Sequence, residues 1–180
     1  MNVKVCIAGK IACGKSTITE AIARHTSFPR ISFGNILRKY SKEQNLPQTR
    51  EALQDLGQKI LDEYGYGGFL EWTIEHSPNI NWNGPLLIDG LRHLAVYECI
   101  LEMFPSTILV YCNCNVQTQI NRIVARDKIT KEEALKIISH PTEKYIQDIK
   151  PYADIIYQSG SNVSGAIRQF DKLMLGFYSY

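Results

Sequence analysis

The sequence predicts an α/β fold, a P-loop three-layer sandwich in which a five-stranded parallel sheet carries helices on both faces. Three observations predict it. Short apolar runs alternate with longer amphipathic ones along the chain. The apolar runs lack a polar face, as expected of strands covered on both sides by helices. The first run leads straight into Gly9-Lys10-Ile11-Ala12-Cys13-Gly14-Lys15-Ser16, a glycine loop that opens a helix.

The elements follow in order. Residues 3–8, Val-Lys-Val-Cys-Ile-Ala, read as the first strand, and the amphipathic stretch 15–25 as the helix after the loop. Further strands are expected at 30–32, 85–88, 107–112 and 154–157. Helical periodicity marks 34–43, 49–63, 68–75, 94–103, 116–126, 131–148 and 163–175. Between 63 and 68, Tyr64-Gly65-Tyr66-Gly67-Gly68 supplies a glycine hinge. The chain of 180 residues suits one domain with a buried core. Its core is expected from 1–33, 84–126 and 151–180, with a helical flap at about 34–76 and a short lid at about 127–150.

Composition narrows the function classes. Hydrophobic residues are 44% and charged residues 21% of the chain, and the net charge is +2. That balance offers no basic face for nucleic acid and no span for a membrane. The strand signal at the very start leaves no room for a leader, so a cytoplasmic monomer or small homo-oligomer is expected. The five cysteines, Cys6, Cys13, Cys99, Cys112 and Cys114, include no CxxC pair, and His25, His76, His93 and His140 have no ligand spacing. Cys13 lies inside the glycine loop and is the thiol expected to meet oxidants or alkylating agents.

The loop carries the chemistry. Gly9 and Gly14 let the backbone N–H groups of Lys10, Ile11, Ala12 and Cys13 curl around phosphate oxygens. Lys15 places a charge on the β- and γ-phosphates, Ser16 a hydroxyl on Mg²⁺, and Thr17 continues a helix whose positive end faces the anion. This implies binding of ATP or another polyphosphate. Leu86-Leu87-Ile88-Asp89-Gly90 is an apolar run ending in an acid, placed to hold Mg²⁺ or its water shell, and Arg92 follows as a guanidinium for phosphate.

These residues and their neighbours carry a resemblance. Ile31-Ser32-Phe33-Gly34-Asn35-Ile36-Leu37-Arg38 is similar to the segment that opens the acceptor flap in adenylate kinases and related nucleoside monophosphate kinases. Asp89-Gly90-Leu91-Arg92 resembles that family's D-G-x-P-R element, one residue shorter and without the proline. Residues 120–126, with Arg122 and Arg126, resemble the helix leading into its lid. Residues 49–57, with Arg50 and Gln54, resemble a stretch of phage-type deoxynucleoside monophosphate kinases, and Ala153-Asp154 with Gly160-Ser161 the end of dephospho-coenzyme A kinases.

The resemblance implies an ATP- and Mg²⁺-dependent kinase of a small phosphorylated acceptor. Lys15, Arg92, Arg126 and Asp89 would be catalytic. Arg122 would join residues 9–17 on ATP, and Ser32, Gly34, Arg38, Arg50, Gln54 and Arg92 would hold the acceptor. Ser16 and Asp89 would hold the metal. The lid departs from the pattern: beyond Arg126 it offers Lys128, Lys131, Lys136, His140 and Lys144, and a lysine lacks the planar fork of arginine. Three readings stand at this point. The acceptor is a nucleoside monophosphate, whose phosphate is already a nucleophile. Or it is a hydroxyl, as in dephospho-coenzyme A, with Asp89 as base. Or there is no acceptor, and the chain is a nucleotide-binding switch.

Overall fold

A computed structural model describes residues 2–139 and 141–178, apart from the side chains at positions 50, 51, 141, 142, 144 and 178. The chain runs β1 (Lys4–Gly9), α1 (Lys15–Thr26), β2 (Arg30–Ser32), α2 (Phe33–Glu43), α3 (Arg50–Glu75), β3 (Leu86–Leu91) and α4 (Leu94–Met103). It continues through β4 (Thr107–Asn113), α5 (Val116–Asp127), α6 (Lys131–Ile138), α7 (Pro141–Ile149), β5 (Ile155–Gln158) and α8 (Val163–Tyr178). The strands form one parallel sheet in the order β2-β3-β1-β4-β5. Among the described residues, no helix is long and apolar enough to cross a membrane.

Side-chain alternation along the strands builds the two faces. Cys6, Ala8, Leu86, Ile88, Leu109 and Tyr111 face a core shared with residues of α2, α3, α4 and α7. Val5, Ile7, Leu87, Ile108, Val110 and Cys112 face the opposite way, against Ile18 and Ile22 of α1 and Phe170 and Met174 of α8. The central strand β1 is buried along its whole length. The expectation that every strand is apolar on both faces fails at β5, where buried and exposed positions alternate. It is the edge of the sheet, and its outer face meets water.

The two flap helices expected on either side of the glycine hinge meet within α3 at Gly65, whose φ of 70° and ψ of −177° are non-helical. That conformation strongly favours glycine, so the predicted hinge residue makes the kink. Conversely, the single helix expected over 131–148 is two helices. Pro141 has no N–H to continue a helix from the preceding turn and is tolerated in a first turn, so α6 ends at Ile138 and α7 opens on the proline. His140 and the final residues Ser179 and Tyr180 lie outside the described residues. In the expected lid region, α6 packs Ala134 against Ile11, Ile120 and Ile123. Helix α7 instead sinks Ile146 and Ile149 into the main core.

At the end of β1 opposite the glycine loop, Lys4 is fully buried. Its ammonium donates to Asn2 Oδ1 and, at 2.8 Å, to the Gly84 carbonyl, and lies 4.3 Å from the centre of the Phe104 ring. Burial lowers its pKa from 10.5 to about 8, against the opposing influence of Cys6. Between these two values the unfolded chain keeps a proton that the folded chain has released. Stability from this group therefore rises with pH across that window and is lowest below about pH 8. Thermal melting of wild type and Lys4→Met from pH 7 to 10.5 should show the wild type gaining on the variant as pH rises; parallel melting curves would contradict the burial argument.

Candidate active site

The carboxyl ends of β1, β2 and β3 open on one cavity of about 880 Å³, the place where parallel sheets offer their ligand crevice. Three helices start at this cavity: α1 at the glycine loop, α2 with Phe33 and Gly34, and α4 with His93 and Val96 close to its first turn. None of the three has a capping side chain or an acid in its first turn. Helices α3, α5 and α6 are capped by Thr49, Asn115 and Thr130. The uncapped starts leave backbone N–H groups and the positive ends of three dipoles facing the cavity.

The glycine loop is shaped by space as much as by chain direction. A Cβ at Gly9, where φ is 141°, would sit 2.5 Å from the Cys112 carbonyl oxygen and 2.8 Å from Cys13 Sγ. Glycine therefore lets β1 and β4 close at the loop's entrance. The peptide groups of the loop are bonded by side chains from α5 and α7. The Ile11 N–H donates to Glu143 Oε2 at 2.8 Å, and the Ile11 carbonyl accepts from Gln119 Nε2 at 2.8 Å. Arg122 Nη1 donates to the Ala12 carbonyl at 2.9 Å and to Ser159 Oγ at 2.7 Å. The Lys15 ammonium donates to the carbonyls of Gly9 and Lys10, both at 2.8 Å. Ser16 and Thr17 are exposed and line the cavity.

Cys13 is only 1% exposed, so the expected easy access for oxidants and alkylating agents is not what the structure offers. Its thiol pKa is lowered to about 7, first by the Cys112 thiol bonded to it and also by the Lys15 charge, with burial opposing. Cys112, which keeps its proton in that bond, is shifted upward.

Five predicted cations line the same cavity: Lys15, Arg38, Arg92, Arg122 and Arg126. Arg38 bonds Asn35 Oδ1 at 3.0 Å on the exposed start of α2. Arg92 Nη1 pairs with Glu143 Oε1 at 2.9 Å. Arg126 holds its neighbour Asp127 through Nε and Nη2, at 2.6 and 2.7 Å. Gln54, Gly34 and Gly90 also line the cavity. The Arg50 and Lys144 side chains lie outside the described residues.

Ser32 and Asp89 stand beside the cavity and do not line it. They are paired in register on β2 and β3, and the Asp89 carboxylate accepts from Arg30 Nη2 at 2.5 Å. No Asp or Glu lines the cavity among the described residues.

Sequence reasoning missed several contributors. Phe33, Leu37, Leu53, Leu61, Phe69 and Val96 make an apolar wall on the flap side; their helical periodicity signalled core but not which core. His93 joins the lining, its pKa lowered by burial and then by Arg92. Arg30, Gln119, Glu143 and Ser159 act through partners distant in the chain, and no local spacing marks them.

Comparison with known proteins gives the chain a family and relatives for its fold. A family model described as an AAA domain matches residues 5–144. The chain is 25% identical to a dephospho-CoA kinase of Prochlorococcus marinus, over 88% of each chain. It is 25% identical to a cytidylate kinase of Thermoplasma volcanium, over 84% of this chain and 73% of the relative. The solved protein TT1252 of Thermus thermophilus shares the fold at a TM-score of 0.61, with 16% identity over 97% of each chain.

Lys15 is the lysine that the glycine loop places on the cavity wall. Lys15→Ala should leave the melting temperature near that of wild type and lower phosphoryl transfer by roughly 10²–10³-fold or more, the loss expected for one transition-state charge partner. A folded variant with near-wild-type turnover would remove Lys15 from the site.

Proposed function

The chain belongs to the AAA domain family, as an ATP-dependent P-loop kinase of small molecules, and on that premise we propose that its acceptor is a nucleoside or deoxynucleoside monophosphate. The observation that carries this reading is the cavity lining: five cations and, among the described residues, no carboxylate. Two polyanions have to be brought together, and the cost of doing so is met by fixed positive charge. A phosphate nucleophile is ionised near neutral pH and needs no general base, so alignment and charge neutralisation suffice.

Roles follow from position. The glycine loop, Lys15, Ser16 and Thr17 take the ATP phosphates, with Arg122 and Arg126 of α5 alongside. Arg38 of α2 and Arg92 beyond β3 take the acceptor phosphate. The apolar wall with Gln54 and Gln58 takes the acceptor's base.

The residues suit Mg²⁺ carried on the nucleotide. Among the described residues no three His, Cys, Asp or Glu side chains gather into a metal cage, while the Ser16 hydroxyl is exposed on the cavity wall. Magnesium bound this way keeps mostly phosphate and water ligands and neutralises phosphate charge. Asp89 could support its water shell only by sharing its carboxylate with Arg30.

A second reading keeps the donor site and makes the acceptor a hydroxyl, as in dephospho-coenzyme A. Relatives favour it: two dephospho-CoA kinases align over 88% and 92% of this chain, more than the cytidylate kinase does. It requires a base, and the candidates are Asp89, engaged by Arg30, and His93, whose lowered pKa keeps it neutral near pH 7.

Purified protein with Mg·ATP, assayed for ADP release against ribo- and deoxyribonucleoside monophosphates and dephospho-coenzyme A, separates the readings. We expect turnover with a monophosphate; turnover with dephospho-coenzyme A alone would establish the second reading. With the active acceptor, Arg38→Ala should raise its KM about 10–100-fold, the value of one lost charged hydrogen bond, and change the KM of ATP by less than about threefold. Equal effects on both substrates would move Arg38 to the donor side.

A further inference from the structure

Glu143 is a buried acid that the roles above leave without a task. Its side chain is 1% exposed, at the start of α7. One carboxylate oxygen accepts the Ile11 N–H of the phosphate loop at 2.8 Å and the other accepts Arg92 Nη1 at 2.9 Å, across 132 and 51 residues of chain. Helix α7 cannot drift, because Ile146 and Ile149, on the next turns, are buried in the core. A buried carboxylate is costly unless its oxygens are bonded, so this position is held by both partners at once.

Arg92 has the opposite character. It is a long, flexible side chain, 35% exposed, on the wall of the cavity. With Nη1 held by Glu143, its guanidinium is anchored at one end while the residue lines the cavity. The same carboxylate that anchors it is bonded to the loop that receives ATP.

We propose that Glu143 is a positioning residue, which ties the Arg92 guanidinium to the phosphate loop and thereby sets the separation and alignment of the acceptor anion and the terminal phosphate of ATP. This rests on the reading of Arg92 as an acceptor-phosphate ligand. Misplacement of a reacting group by about 1 Å can cost on the order of 10²-fold in rate, so the carboxylate acts on turnover without touching either substrate.

The test is a double-mutant cycle of Glu143→Gln and Arg92→Ala, with Mg·ATP and cytidine monophosphate or dephospho-coenzyme A as acceptors. The amide matches the carboxylate in size but presents one acceptor and one donor, so it cannot receive hydrogen bonds from both Ile11 and Arg92 through separate oxygens. Glu143→Gln should lower kcat roughly 10–100-fold and change the KM of ATP by less than about threefold. In the Arg92→Ala background the same substitution should cost less than about threefold more, the mark of two residues acting as a unit. Hydrogen exchange of the peptide spanning 9–16 should quicken in Glu143→Gln while β4 and α8 stay protected, which reports the lost tie to Ile11 in a folded protein. If Glu143→Gln melts below the assay temperature, Glu143→Asp, which keeps the charge but is one methylene too short to reach both partners, takes its place in the cycle. Effects that multiply independently, or faster loop exchange with unchanged kcat, overturn the positioning role. An Arg92→Ala enzyme with wild-type acceptor kinetics overturns the acceptor reading itself, and the inference with it.

Discussion

The phosphate loop holds its shape because side chains from elsewhere bond peptide groups around it. Gln119 and Arg122 reach in from α5 to the carbonyls of Ile11 and Ala12, and Glu143 of α7 takes the Ile11 N–H. Ala12 has a φ of 56°, a conformation that a non-glycine residue adopts at a cost, and these bonds on it and on its neighbour offset that cost. The loop's shape is thus fixed by bonds within the protein, the preorganisation under which fixed dipoles stabilise developing charge.

The same clamp connects the layers. Helix α5 carries Arg122 and Arg126 and bonds the loop; α7 is seated in the core above β1 and bonds both the loop and Arg92. Tight approach at Gly9 brings the Cys112 carbonyl against the loop's first residue, so β4 forms part of its floor. A change in any of these three elements is felt at the phosphates.

Three cations on the cavity wall have partners within the protein. Lys15 is bonded by loop carbonyls, Arg92 by Glu143 and Arg126 by Asp127. Arg126 and Asp127 are adjacent and more exposed than the Arg92–Glu143 pair, so theirs is the less costly pair to separate. The flap side of the cavity is walled by apolar residues of α2 and the kinked α3, and among the described residues Arg38 and Arg92 bring charge beside them.

The sequence by itself determined what is encoded in contiguous residues. The glycine loop, the alternation of strand and helix, the caps at Thr49, Asn115 and Thr130 and the kink at Gly65 are local, because each depends on backbone freedom or side-chain reach within a few positions. Lys15 and Arg92 were legible for the same reason, one in the glycine loop and one just beyond an apolar strand, whereas Arg38, Arg122 and Arg126, inside α2 and α5, were legible through the resemblance of those segments to known kinases. Tertiary structure alone decided the strand order β2-β3-β1-β4-β5, which brings β2 beside β3 and gives Asp89 to Arg30, 59 residues away. It also decided which apolar residues wall the cavity rather than fill the core. Glu143 had no readable role until α7 was seated over β1, because a buried carboxylate is defined by partners that the chain brings to it from 51 and 132 residues away. Such pairings depend on how the layers stack, and no spacing along the chain records that.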